Sequence, residues 1–157
     1  MLNRIALCAA VSMLGASSVL ADGKVYVQMP DLGAYQGAEA EQFLAEVVLA
    51  NVVSSNCAGF EVTDEEWSLL TDSADLLAYG QLKIDTGRYD DEYYRPAFAA
   101  LDEAGTCERE GPKVEEVLTT LVGHGGSRAA LPDQDKGYKD WRKLMDRLSA
   151  EANRAGE

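Results

Sequence analysis

Histidine occurs once in the 157 residues, cysteine three times, tryptophan twice and proline four times. A lone His124 leaves no second imidazole for a metal site, and any Ser-His-Asp or Cys-His arrangement would have to use it. The Gly-flanked VGHGGS stretch around it invites comparison with an esterase oxyanion loop, but the GxSxG elbow is absent. We therefore read His124 as structural. No CxxC or HxxxH spacing presents neighbouring zinc ligands, so no metal and no cofactor are expected. Bases are also scarce. Fourteen Lys and Arg stand against 27 Asp and Glu, a net charge of −13, which is the wrong sign for attracting a phosphate backbone and excludes nucleic acid as the expected partner. What remains is ordinary: 46% hydrophobic and 26% charged residues suit one folded domain.

The N-terminus reads as an address. MLNRIALCAAVSMLGASSVLA carries one cation, Arg4, then an apolar run from Ile5 to Leu14, then small residues up to Ala21. This is the pattern of a secretory signal cleaved after Ala21, and the run is too short to span a membrane. Residues 1–21 are thus expected to be removed, leaving periplasmic or secreted protein with no membrane span. Cleavage takes Cys8 away. Cys57 and Cys107 remain in an oxidising compartment, and an even pair there is most simply a disulfide.

Hydrophobic spacing predicts an all-α chain: a small disulfide-linked bundle of about four helices plus a C-terminal amphipathic helix. Residues 22–35 read as an extended arm packing through Tyr26, Met29 and Leu32, and residues 36–122 as the helical domain. Its first helix, about 36–53, puts Ala40, Phe43, Leu44, Val47, Val48 and Asn51 on one face. Thr63-Asp64-Glu65-Glu66 fits a capping box that starts a second helix, with Trp67, Leu70, Ala74 and Leu77 inward and Thr86-Gly87-Arg88 as its exit. Asp90, Asp91 and Glu92 suit a third helix start, with Pro96 as the first regular position and Tyr94, Ala97, Phe98 and Leu101 as the stripe. Cys107 is expected in a loop, and Gly111-Pro112 as the start of a fourth helix ending at Gly123. Trp67, Leu70, Leu77, Phe98 and Leu118 are taken as core. Residues 123–137, with four glycines and Pro132, read as a linker, and 138–155 as the amphipathic helix.

Charge divides the chain unevenly: residues 22–126 hold 21 acids and 6 bases, residues 127–157 hold 6 acids and 7 bases. The last helix therefore either docks on the acidic body or anchors a partner, and Tyr138, Trp141, Met145 and Leu148 are the partner-binding candidates. Packing on the body is favoured, because such a stripe is costly to leave in water. Tyr89, Tyr93 and Tyr94 could line a groove, although core packing explains them more simply. The acids of 85–92 could offer oxygens to calcium, but they form no EF-hand ladder and helix N-terminal charge accounts for them. No catalytic set is identified.

With Cys57 and Phe60, an all-helical interval, then Cys107 and a short charged helix, the region 57–122 resembles the HdeA-type periplasmic acid-stress chaperones. That resemblance implies a small helical fold with one disulfide, a dimer at neutral pH, and opening in acid to bind unfolding clients. This chain departs from the pattern by a helix before Cys57, a linker and a tail helix, and only the cysteine pair carries over. The expected function is an exported, non-enzymatic binding or accessory protein of the bacterial cell envelope whose acidic surface favours a basic protein partner. The alternatives are an acid-activated periplasmic chaperone and an enzyme with an unidentified carboxylate site.

Overall fold

A computed structural model describes residues 23–155, so the expected signal segment and its cleavage site lie outside the described residues. Those residues are mostly helical, and their one β feature is an isolated antiparallel bridge between Val27 and Ala130. The all-α expectation holds.

Helix α1, Gly37–Asn56, is apolar on more than one face. It buries Ala40, Phe43, Leu44, Val47, Val48, Ala50, Val52 and Val53, and the helices and helical turns that follow it, between residues 64 and 123, pack around it. Helix α2, Asp64–Asp75, starts at the expected capping box: the Glu66 N–H donates to Thr63 Oγ1 at 3.2 Å, and the Thr63 N–H donates to Glu66 Oε2 at 3.0 Å. It runs on without a break into a π-helical stretch, Leu76–Leu82, and stops at Lys83, whose φ of 54° is left-handed.

Thr86-Gly87-Arg88 is therefore not the exit of this helix. It opens α3, Thr86–Tyr89, where Asp85 Oδ1 accepts the Arg88 N–H at 2.9 Å and serves as N-cap. A second π-helical turn, Asp90–Tyr94, leads directly into α4, Arg95–Ala100. Pro96 explains the wide turn. Proline has no N–H and its ring crowds the carbonyl four residues back. Widening the turn, with the Arg95 N–H bonded five residues back to Asp90, carries the chain past that obstruction.

Helix α5, Thr106–Gly123, starts well ahead of Gly111-Pro112, so Cys107 lies in its first turn rather than in a loop. Three local features set the earlier start. Gly105 reverses the chain at a φ of 78°, the Thr106 hydroxyl lies 2.6 Å from the Ala100 carbonyl, and Cys107 is bonded to Cys57 with 5.5 Å between their Cα atoms. Pro112 is carried inside the helix. Gly111 beside it lets the Phe60 ring close on the helix, since a Cβ there would sit 2.4 Å from the ring. The left-handed residue after the helix is Gly125 rather than Gly123, and the Gly126 N–H bonds back to the Leu121 carbonyl at 3.0 Å.

Residues 123–137 are not a loose linker. The Asp31 N–H donates to the His124 carbonyl at 2.8 Å, the Ser127 N–H to Gln28 at 3.0 Å, and the Leu131 N–H to Tyr26 at 2.8 Å. Arm and linker thus satisfy one another's backbone groups, and Arg128 clamps the strap onto Glu66 and Glu115 at 3.2 and 2.7 Å. Helix α6, Gln134–Ala155, follows and lies along the π-helical end of α2. Leu70, Leu77 and Leu118 are core as expected, whereas Trp67 is 40% and Phe98 51% exposed.

Candidate functional site

The first of two clefts that matter lies between α1 and α5. Helix periodicity brings Phe43, Ala50 and Val117 to its floor and Leu49 to its wall, while Gln42, Glu46, Glu110, Lys113, Glu116 and Thr120 form the rim. Its volume is about 520 Å³. Lys113 is neutralised by Glu110 at 2.8 Å, so the rim's uncompensated charge is that of Glu46 and Glu116, both exposed. An apolar floor between exposed carboxylates suits an amphipathic segment with basic flanks.

The second cleft, about 310 Å³, is bounded by Tyr26, Val27 and Met29 of the arm, Leu131 and Pro132 of the strap, Asp72 of α2, and Gly137, Trp141 and Leu144 of α6. Asp72 is only 1% exposed. It forms an ion pair with Lys24, and Trp141 Nε1 donates to the same Oδ1 at 3.0 Å. The Lys24 ammonium also stands over the Trp141 ring, 3.8 Å from its centroid, and 5.5 Å from that of Tyr26. Burial raises the Asp72 carboxyl, and Lys24 and Trp141 oppose that rise without cancelling it. Asp72 Oδ2 is buried and has no hydrogen-bond partner.

One turn along, burial and the Asp72 charge push Asp75 up to about 7. Tyr89 and Tyr94 lie close to Asp75, and Tyr89 is raised by burial and by the Asp75 charge. This strongly shifted carboxylate lines neither of the two clefts.

The residues singled out from sequence fall as follows. Tyr89, Tyr93 and Tyr94 do not wall a groove: Tyr89 is buried, the other two are half-buried against the core, and the three rings meet edge-on or tilted at 5.2 to 6.4 Å. Tyr138 and Trp141 pack on Tyr26, each at 5.8 Å between centroids, while Met145 and Leu148 are buried. The tail stripe is thus covered by the chain itself and is not a free anchor. Cys57 and Cys107 form the expected disulfide. His124 closes α5, and its Nε2 lies 3.2 Å from the Tyr35 hydroxyl. The acids of 85–92 are occupied locally: Asp85 caps α3, Glu92 takes both Nε and Nη2 of Arg88 at 3.0 Å, and Asp91 pairs with Arg95 at 2.6 Å.

Sequence reasoning missed Lys24, Asp72 and the α1–α5 cleft. Asp72 carried a signal of sorts, since it lies off the apolar stripe of α2 and only a second covering layer could bury it. Comparison with protein-family models, curated proteins and solved structures finds no match to the chain.

Proposed function

We propose that the protein is an exported, non-enzymatic binding or accessory protein of the bacterial cell envelope that receives a basic, amphipathic segment of a protein partner. The observation that carries this reading is the α1–α5 cleft, whose apolar floor of Phe43, Ala50 and Val117 and wall of Leu49 lie between the exposed carboxylates of Glu46 and Glu116. Net charge adds long-range attraction of the same sign, with 27 acids against 14 bases. The tail helix is set aside as a detachable apolar anchor, because its stripe is spent on the body.

Calorimetric titration with a synthetic Lys- and Leu-rich amphipathic helix tests the reading. Binding is expected at low salt, weakening as salt rises, and the double reversal Glu46→Lys/Glu116→Lys should weaken it about tenfold or more while leaving helix content unchanged. Equal affinity in wild type and double variant would exclude this cleft.

The acid-activated alternative gains no support from the shifted carboxyls. Asp72 and Asp75 are both raised, so acid neutralises buried charge instead of creating it. The enzymatic alternative would look first to Asp75, since strongly shifted carboxylates gather at active sites, but Asp75 lines neither of the two clefts.

A further inference from the structure

We propose that the cleft between the arm and α6 is a recognition site for an aliphatic ammonium group, occupied in this structure by the chain's own Lys24. The site consists of a buried carboxylate, Asp72, and the faces of Trp141 and Tyr26. This is the combination that selects an organic cation: the carboxylate supplies charge, and the ring faces supply attraction to an ammonium that has shed its water.

Two observations separate the site from an ordinary ion pair. Asp72 keeps a second oxygen, Oδ2, buried and without a hydrogen bond while Lys24 and Trp141 share Oδ1, so the carboxylate has accepting capacity its occupant does not use. The same three residues, Asp72, Tyr26 and Trp141, also line a cleft that continues past them, walled by Leu131, Pro132 and Leu144 and edged by Asp133, Asp140 and Lys136, the last two paired with each other. The apolar walls fit a short methylene stem, and with Lys136 spent on Asp140 the edge keeps the one negative charge of Asp133, which favours a cation on its way in.

The occupant lies two residues ahead of Tyr26, whose N–H and carbonyl are both held by the Gln134 side chain at 2.8 Å, so Lys24 belongs to the outer end of the arm, before its anchored part. Retraction of Lys24 would vacate the ammonium position, leaving Tyr26, Asp72 and Trp141 to meet an incoming amine. A free alkylamine and a lysine side chain of a partner present this same chemistry. The site is built from other elements than the α1–α5 cleft and stands or falls separately from it.

The test uses the full chain with Lys24→Ala, in a Trp67→Phe background so that Trp141 alone reports. n-Butylammonium should raise the thermal midpoint and change Trp141 emission saturably, and n-butanol, its neutral analogue, should do neither. Asp72→Asn added to Lys24→Ala should abolish the response. Wild-type protein should bind the amine roughly tenfold or more weakly, since Lys24 must first leave. N-acetyl-lysine-N-methylamide separates the sources: binding of both probes admits a partner's lysine, and binding of butylammonium alone restricts the site to free amines. If Lys24→Ala does not fold, restoration of helix content by butylammonium, and not by butanol, carries the same meaning. Absence of any amine-specific response in Lys24→Ala overturns the proposal. So does a wild-type protein that shows no competition at amine concentrations a thousand times those saturating the variant, since Lys24 would then be a fixed strap.

Discussion

Trp67 and Phe98 carry the spacing of core residues and lie at the surface, and each has a separate physical cause. Side chains on a helix lean toward its N-terminus, so Trp67 in the first turn of α2 projects past the packed part of the helix, beside residues 23–25 of the arm. Phe98 follows the wide turn Asp90–Tyr94. The extra residue in a π-helical turn rotates everything after it by about 100°, so Ala97 faces the core and Phe98 does not. Energetics should follow exposure and not sequence spacing. Trp67→Ala and Phe98→Ala are expected to cost about 1 kcal/mol or less, against about 2 to 5 kcal/mol for Leu70→Ala, Leu77→Ala or Leu118→Ala, whose side chains are fully enclosed. Urea unfolding of the five variants decides this, and a Phe98→Ala cost equal to that of Leu118→Ala would show that Phe98 is covered in solution.

Elements were legible wherever the signal was local. The capping box at Thr63, the six inward positions of α1 and the inward Leu118 of α5 all rest on neighbours within a few residues, and all appear. The arm and the strap were not legible, because what orders them is pairing across about 100 residues, between Tyr26 and Leu131 and between Gln28 and Ser127. The start of α5 was obscured for a related reason: a disulfide to Cys57 and a Thr106 contact with Ala100 outweigh the local signal of Pro112. The candidate site shares the fate of the strap. Lys24, Asp72 and Trp141 come from three elements, and no spacing announces them. Gly137 lets the element that matters most come close. It lies within α6, where Ala is ordinarily better by about 1 kcal/mol, yet a Cβ would stand 2.8 Å from Tyr26 Cβ and 3.1 Å from Leu131 Cδ1. Gly137→Ala should therefore destabilise the protein against propensity, by about 1 to 3 kcal/mol, whereas Gly123→Ala, which meets nothing within 4 Å, should be neutral or better. Thermal midpoints of the two variants check the sign, and a stabilising Gly137→Ala would mean that α6 stands further from the arm.

For the molecule as a whole, charge and burial act together. The chain is strongly acidic, and two of its carboxyls, Asp72 and Asp75, lie one turn apart on α2 beneath α6 and the tyrosines. A carboxyl raised to about 7 in the folded state and near 4 in the unfolded chain makes the native state bind more protons between those values. Unfolding then releases a proton, and stability falls as pH rises, by at most about 1.4 kcal/mol per pH unit for one group. The contribution of Asp75 is complete below pH 4 and lost as pH climbs through 7. Asp72 adds in the same direction. Opposing them are Glu92, Glu115 and Glu151, which Arg88, Arg128 and Lys83 hold below the usual carboxylate range, but these pairs are exposed and act only in stronger acid. The thermal midpoint should accordingly rise as pH is lowered from 8 to about 5 and turn down only below about 4. Asp75→Asn, a neutral group of the same shape, should raise the midpoint at pH 8 and remove most of the slope. An acid-opened chaperone requires the reverse slope over this window. A midpoint that falls steadily from pH 8 to 5 would show that Asp75 is ionised without cost and would favour that alternative over the accessory-protein reading.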